Sequence, residues 1–193
     1  MNESHVAPEA IVVGASAGGM HIIKDLIANW DAALPPLIVV QHLAELHEQE
    51  WIDHLNALSG APVKEADEKE SIDKGHIYLA PGNYHLLIEK DRTFSLSTDD
   101  KVNFARPSIN VTFETAAEAY GSTLACIILS GGNDDGASGA KAIRDRGGLV
   151  IVQEPATAFA PAMPQAAIAT ADPQLVLPAA QIISTVKRIC TLH

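Results

Sequence analysis

The chain has 193 residues, 47% of them apolar and 19% charged, which is the composition of an ordinary globular protein with its own core. Its formal net charge of −11 argues against nucleic-acid binding, because phosphates would be repelled and the basic residues are scattered. No apolar run reaches the roughly 20 residues of a membrane span and the N-terminus lacks a basic signal-peptide region, so we expect a cytoplasmic protein without membrane insertion.

Short β-branched runs alternate with longer helical patterns, which indicates βαβ units and a parallel sheet covered on both faces. In chain order, the predicted strands are residues 10–14, 36–41, 75–80, 123–130, 148–153 and 175–177. The predicted helices are residues 18–30, 45–58, 107–120, 136–146, 163–171 and 178–191. Residues 85–98 break the alternation, because two short apolar runs joined by Asp91-Arg92 predict an antiparallel hairpin.

This order of elements predicts one domain over residues 1–193, of the α/β class. We expect a doubly wound, mostly parallel sheet, a Rossmann-like three-layer sandwich, with the antiparallel hairpin inserted. In such folds the carboxyl ends of the strands border the crevice that binds ligands. The loops that follow the predicted strands are therefore the places to look for functional residues.

The loop after the first strand, Gly-Ala-Ser-Ala-Gly at residues 14–18, is the first candidate motif. As a dinucleotide loop it fails, because Ser16 takes the place of the glycine that lets the backbone approach the pyrophosphate. Gln41 and His42 stand where an acidic residue would bind the ribose. The sequence also lacks the glycine-rich lysine motif of nucleotide hydrolases, so nucleotide binding is disfavoured. We expect no cofactor.

The same five residues match the G-x-S-x-G nucleophile elbow, which lies between a strand and a helix. Small neighbours permit a tight, strained turn that exposes the serine hydroxyl, while the following amides and helix N-terminus favour developing negative charge. The alternative is structural, because serine is a common N-cap of the helix that follows such a turn. The pentapeptide alone does not separate the two interpretations.

A serine nucleophile needs a base, and His42 is the best-placed histidine because it ends the second predicted strand. Ends of neighbouring parallel strands meet at one crevice, so Ser16 and His42 are expected to be neighbours. The glycine-rich loop after residues 123–130 supplies an aspartate to orient the base, and both Asp134 and Asp135 are candidates. Turn formation or helix capping is their structural alternative.

The other histidines give weaker signals. His47 and His54 could share one helix face, but their spacing is not H-E-x-x-H and no third ligand is in view, so we expect no metal site. His85 ends the loop Ala-Pro-Gly-Asn-Tyr-His and is a candidate crevice residue.

Over nearly the whole chain, and in the same order, the motifs resemble those of the catalytic domain of the bacterial chemotaxis protein-glutamate methylesterase, the CheB-like family. The matching segments are GASAGG (14–19), VVQHL (39–43), IYLAPGNYHL (77–86), RPSINVTF (106–113), LSGGNDDGASG (129–139), VQEPATA (152–158) and AMPQAAI (162–168). The resemblance implies hydrolysis of γ-glutamyl methyl esters with release of methanol, often together with deamidation of receptor glutamines. The implied partner is a methylated chemoreceptor or a related protein.

The resemblance also implies which residues act. The family's nucleophile falls on Ser16, its base on His42, and its acid on Asp135 rather than Asp134. The chain begins shortly before its first predicted strand, so we expect a stand-alone catalytic domain without the family's receiver domain. A separate receiver or signalling protein would then supply regulation.

Four residues are further candidates for the oxyanion site or the crevice wall: Ala17, Gly132, His85 and Met163. Relatives commonly carry threonine where this chain has Ala17, and methionine where it has Gly132. These two departures keep a second hypothesis open, a regulatory binding module of a signalling system that retains the fold without efficient catalysis.

Overall fold

The computed structural model describes residues 7–42 and 48–191, which form a sheet packed between helices. The strands are β1 (Ala10–Ala15), β2 (Leu37–Gln41), β3 (Val63–Glu65), β4 (Ile77–Leu79), β5 (His85–Ile88), β6 (Phe94–Ser97), β7 (Leu124–Ile128), β8 (Leu149–Gln153) and β9 (Leu175–Leu177). The helices are α1 (Met20–Ala28), α2 (Glu48–Leu58), α3 (Ile109–Tyr120), α4 (Ala137–Asp145), α5 (Ala162–Ala171) and α6 (Ala179–Thr191). Short 3-10 helices, Gly121–Thr123 and Pro155–Thr157, precede β7 and follow β8.

Seven of these strands form one parallel sheet in the order β3-β4-β2-β1-β7-β8-β9. The central strand, β1, pairs in parallel with β2 on one side and with β7 on the other. The chain leaves β1 toward β2 and reaches the opposite side of β1 only with β7, so the direction of winding reverses at β1. The loops after β1 and β7 therefore border a crevice, the place where a doubly wound fold binds its ligand.

The strands are apolar on both faces because helices cover each side of the sheet. Successive residues of β1 alternate between two cores: Val12 packs with residues of α3, α4 and α5, and Val13 with residues of α1, α2 and α6. Phe113 of α3 and Leu26 of α1 are buried in these two cores. This packing fixes the strands and hence the loops at their carboxyl ends.

The remaining two strands, β5 and β6, form a separate antiparallel pair that packs on α3. Thr112 Oγ1 donates a hydrogen bond to the Leu86 carbonyl at 2.7 Å, and the Ile88 amide donates to Thr115 Oγ1 at 3.1 Å. These two hydrogen bonds hold the hairpin against α3, the helix whose first residues contact Asp135.

The predicted α/β class, parallel sheet and inserted hairpin are confirmed, and each predicted strand and helix occurs with ends that differ by a few residues. The sequence analysis missed β3, because Val-Lys-Glu at an edge of the sheet is too short and polar to show a strand pattern. The first residues of the predicted helix 45–58 lie outside the described part of the chain. Within that part, no helix is both long and apolar enough to cross a membrane.

Candidate active site

Ser16 follows β1 directly, on the loop that borders the crevice. Its amide donates to the Ser130 carbonyl at 2.9 Å, which ties the loop after β1 to the loop after β7. Its carbonyl accepts from the Gly19 amide at 3.1 Å and closes a tight turn through Gly18, whose φ is +80°. The Ser16 residue is partly exposed, so a substrate in the crevice can reach its hydroxyl.

The structure decides against the structural alternative for Ser16 and against a strained serine. The N-cap of α1 is Gly19 and no side chain caps the helix, so Ser16 is not a capping residue. The strain expected at the serine is not there either, because Gly18 is the residue of this loop with a positive φ. Glycine adopts the left-handed conformation without steric cost, so the turn does not require a positive φ at Ser16.

His42 follows β2, the neighbour of β1, and its amide donates to the Ala15 carbonyl at 3.0 Å. The adjacent Gln41 side chain bridges the two loops, since its Nε2 donates to the Ser16 carbonyl at 3.0 Å and to the His42 carbonyl at 3.1 Å. In the sequence, Gln41 is only a mismatch to a ribose-binding acid, and this role is not predicted. A polar residue at the end of an otherwise apolar strand is the signal that could have found it.

The His42 ring contacts a buried carboxylate: His42 Nε2 and Asp135 Oδ2 are 2.8 Å apart, and Asp135 is fully buried. The carboxylate accepts three more hydrogen bonds from the start of α3, from Ser108 Oγ at 2.8 Å, the Ile109 amide at 2.7 Å and the Asn110 amide at 3.0 Å. Burial raises the pKa of the Asp135 carboxyl, but the hydrogen bonds from His42 and from α3 outweigh burial and lower this pKa below its usual range. Asp135 is therefore an anion at neutral pH.

Asp134, the other candidate, is exposed, and its carbonyl accepts the Ala137 amide at 3.1 Å in a turn.

Because Asp135 takes the hydrogen bond from Nε2 of His42, it stabilises the tautomer that leaves Nδ1 free to accept a proton. Within the described residues no hydrogen bond joins Ser16 Oγ to the His42 ring. Contacts of this kind are often long before a substrate binds.

His85 lies behind Asp135 and not in the crevice, where the sequence analysis placed it, since it is only 2% exposed. Its Nδ1 accepts the Ser108 amide at 3.2 Å, and its Nε2 is 3.1 Å from the Asp100 carbonyl oxygen. An amide can only donate and a carbonyl can only accept, so His85 is neutral with its proton on Nε2. It holds Ser108, whose hydroxyl in turn holds Asp135.

Ser108 and Asn110, which the sequence patterns did not indicate, both contact the Asp135 carboxylate. Besides the contact of its amide with Asp135, Asn110 accepts the Gly136 amide at 2.8 Å and the Gly139 amide at 3.0 Å through Oδ1. The start of α3 thus fixes both the aspartate and the backbone that follows it.

Two of the oxyanion candidates are well placed, since Ala17 and Gly132 are exposed on the loops after β1 and β7. Their amides donate to no acceptor within residues 7–42 and 48–191, so both are available to an oxyanion. Met163 is a wrong prediction, because it is fully buried and its amide donates to the Gly131 carbonyl at 2.9 Å. Its side chain packs so closely on Gly131 that an added Cβ would lie 2.4 Å from the methionine Cε.

A cavity of about 590 Å³ opens beside His42. The ends of β2 and β4, one face of α2 and residues of the segment 101–107 line it. Its volume falls in the range of small-molecule and side-chain pockets. The candidate base therefore lies next to a space that a substrate side chain can enter.

No group of three metal-ligating side chains converges anywhere in the described part of the chain. His54 is exposed on α2 and stacks on Trp51, with the two ring centroids 5.8 Å apart. His47, its suggested partner, lies outside the described residues.

A serine, a histidine and a buried aspartate on loops at the crevice of a doubly wound sheet are the residue types of a serine hydrolase, in the chain order Ser, His, Asp and not the Ser, Asp, His of α/β hydrolases. Residues 11–186 match the family model described as CheB methylesterase. The chain belongs to the CheB methylesterase family.

Comparison with individual proteins gives the same family. A provisionally named protein-glutamate methylesterase/protein-glutamine glutaminase of Leptospira interrogans is 48% identical over 170 residues, which are 88% of each chain. A protein-glutamate methylesterase/protein-glutamine glutaminase of Thermotoga maritima is 34% identical over 92% of this chain, which spans about half (53%) of that relative's length. The crystal structure of the Thermotoga maritima CheB methylesterase catalytic domain matches with a TM-score of 0.88 and 32% identity, over 95% of this chain and 100% of that one.

Proposed function

We propose that the chain is a protein-glutamate methylesterase that hydrolyses γ-glutamyl methyl esters of a chemoreceptor or related protein. Ser16 is the nucleophile, His42 the base and Asp135 the residue that orients the base. The observation that carries the assignment is the 2.8 Å contact between His42 Nε2 and the buried Asp135 carboxylate, one strand away from a partly exposed serine. A buried carboxylate on a histidine next to a serine is the combination that serine acyl transfer requires.

The first half of the reaction forms an acyl-enzyme. Nδ1 of His42 takes the proton of the Ser16 hydroxyl while Oγ attacks the ester carbonyl, and Asp135 stabilises the imidazolium that results. The amides of Ala17 and Gly132 donate to the oxyanion of the tetrahedral intermediate. The intermediate collapses with cleavage of the ester C–O bond, and methanol leaves with the proton from His42.

Water completes the reaction by the same steps. His42 deprotonates the water, which attacks the acyl-enzyme, and Ser16 leaves with the proton, so that the product is a free glutamate carboxylate. A glutamine side chain would follow the same route with ammonia as the leaving group, and the names of the relatives include this glutaminase activity. We propose deamidation as a second reaction of the same site.

Replacement of Ser16 tests the proposal. Ser16→Ala should abolish methanol release from a methylated receptor fragment, whereas Ser184→Ala, an exposed serine on α6, should retain wild-type activity. Unchanged methanol release by Ser16→Ala would contradict the assignment. No observation favours the regulatory-module hypothesis over catalysis.

A further inference from the structure

Two large apolar side chains of the described chain are mostly exposed to solvent, Phe104 at 97% and Phe159 at 81%. The next most exposed, Leu58, is at 43%. Such exposure has a cost in water, and exposed aromatic residues are typical of protein interaction sites. Both phenylalanines border the candidate active site, Phe104 at the cavity beside His42 and Phe159 at the loop of Ser16.

Phe104 lines the cavity beside His42 and occupies a two-residue turn with Asn103. The amides and carbonyls of Val102 and Ala105 pair across the turn at 3.2 and 2.9 Å. Both central residues have positive φ, 50° for Asn103 and 64° for Phe104, which is the pattern of a type I′ turn. That turn favours Asn-Gly, so phenylalanine at its second position is strained, and its side chain gains no buried contact in return.

Phe159 lies over the nucleophile loop. A Cβ added to Gly18 would be 2.4 Å from Phe159 Cβ, so the loop approaches the aromatic side chain closely. Phe159 follows β8, whereas the cavity that contains Phe104 is bordered by the ends of β2 and β4. Because β1 lies between β2 and β8 in the sheet, the strand order places Ser16 between the two phenylalanines.

Positive charge accompanies Phe104. Among the described residues that line the cavity, the lysine, arginine and acidic residues are Lys101, Arg106 and Glu65. Lys101 and Arg106 form no ion pair with a carboxylate of the described residues. Arg106 Nη1 donates to the Thr98 carbonyl at 2.7 Å, while its buried Nε has no partner. In a chain of net charge −11, two of the three charged residues described in the cavity lining are therefore cations, although Asp99 and Asp100 directly precede Lys101.

We infer that Phe104 and Phe159, together with Lys101 and Arg106, form the docking surface for the methyl-esterified protein segment. The inference rests on the proposed function. The occupant is the substrate segment of the proposed reaction, which lays apolar side chains on the two phenylalanines and places a glutamyl ester at Ser16. The hydrolysed glutamates of the same segment are anions and lie near Lys101 and Arg106. The strain at Phe104 is then explained by substrate binding and not by folding.

The test is Phe104→Gly, which relieves the left-handed strain and removes the aromatic contact. The melting temperature should stay the same or rise, because glycine suits the turn. The kcat/KM for a methylated receptor fragment should fall about tenfold more than the kcat/KM for p-nitrophenyl acetate, since an interfacial aromatic anchor is lost. Val176→Ala, an exposed valine on β9, is the control and should leave the ratio of the two kcat/KM values unchanged.

Added salt provides an independent readout, because salt screens the attraction between the cations and an acidic segment. The KM of wild type for the methylated fragment should rise with ionic strength, and the KM of Lys101→Gln should rise less. A wild-type ratio of the two kcat/KM values in Phe104→Gly would overturn the docking surface and leave the proposed function intact. A chain that dimerises, and that Phe104→Gly makes monomeric, would also overturn it, since a second copy would be the occupant. Absence of methanol release by wild type, by contrast, would overturn the proposed function first.

Discussion

The substitution Asp135→Asn keeps the shape of the side chain but replaces one of its two acceptor oxygens with an NH₂ donor. Oδ1 accepts from Ser108 Oγ and the Asn110 amide, and Oδ2 from His42 Nε2 and the Ile109 amide. Whichever way the new amide is oriented, its NH₂ group faces one of the two backbone amides. One buried amide of α3 therefore loses its acceptor.

The size of the effect follows from these contacts. An unpaired buried amide costs about 1–3 kcal/mol, and loss of the hydrogen bonds to a charged acceptor adds a similar amount. We expect the free energy of unfolding to fall by about 3 kcal/mol. In one orientation the amide also donates to Nε2 and moves the His42 proton to Nδ1, and in the other the imidazolium loses its counter-charge. Either way kcat should fall by about 10²–10⁴-fold, the contribution of a positioned general base.

The assay combines urea unfolding with kcat for p-nitrophenyl acetate and for a methylated receptor fragment. Asp134→Asn is the matched control, since that aspartate is exposed, and it should change the free energy of unfolding by less than about 0.5 kcal/mol. A kcat for Asp135→Asn within about tenfold of wild type would refute the reasoning, because the carboxylate would then not orient the base.

Three further predictions follow from the same contacts. The folded-state pKa of Asp135 is lowered, so the carboxylate contributes its full stabilisation above about pH 4 and loses it as pH falls through the lowered pKa. In urea unfolding from pH 7 to pH 3, the difference in free energy of unfolding between wild type and Asp135→Asn should therefore shrink only below about pH 4. Gly18→Ala should cost more than the ~1–2 kcal/mol of a left-handed alanine, because the new Cβ at φ +80° also meets Phe159 Cβ at 2.4 Å. Gly132→Ala, with nothing within 4 Å of its Cβ, should be nearly neutral in thermal unfolding. His85→Phe removes the acceptor of the Ser108 amide and should lower kcat more than it changes KM. His85→Asn retains an acceptor for that amide and should recover part of kcat. An equal loss of kcat in both variants would show that His85 acts through packing alone.

Local sequence patterns were sufficient for the architecture and for most of the candidate site. Apolar runs bounded by glycine and proline located every strand of the sheet except β3, and the parallel arrangement then predicted that Ser16 and His42 lie on neighbouring loops. The order of the strands was not predictable in this way. The strand order depends on packing between elements that are far apart in the chain, and local sequence patterns carry no information about such packing.

The choice between Asp134 and Asp135 shows the same limit. The two residues have identical side chains and share one loop, so the residues alone could not separate them and only the family resemblance did. In the structure the difference comes from α3, whose first residues lie some 25 positions earlier in the chain and donate to Asp135 alone. Met163 was misplaced for a related reason, because a matching motif shows kinship but not whether a side chain faces the crevice or the core.

The central claim is that Ser16 is a nucleophile activated by His42. Incubation with a serine-directed fluorophosphonate, followed by peptide mass spectrometry, tests it most directly. The account predicts one covalent adduct per chain on Ser16 of the wild-type protein, and loss of that adduct in His42→Ala. A wild-type protein that releases methanol from a methylated receptor fragment but carries the adduct on another residue, or none at all, would contradict it.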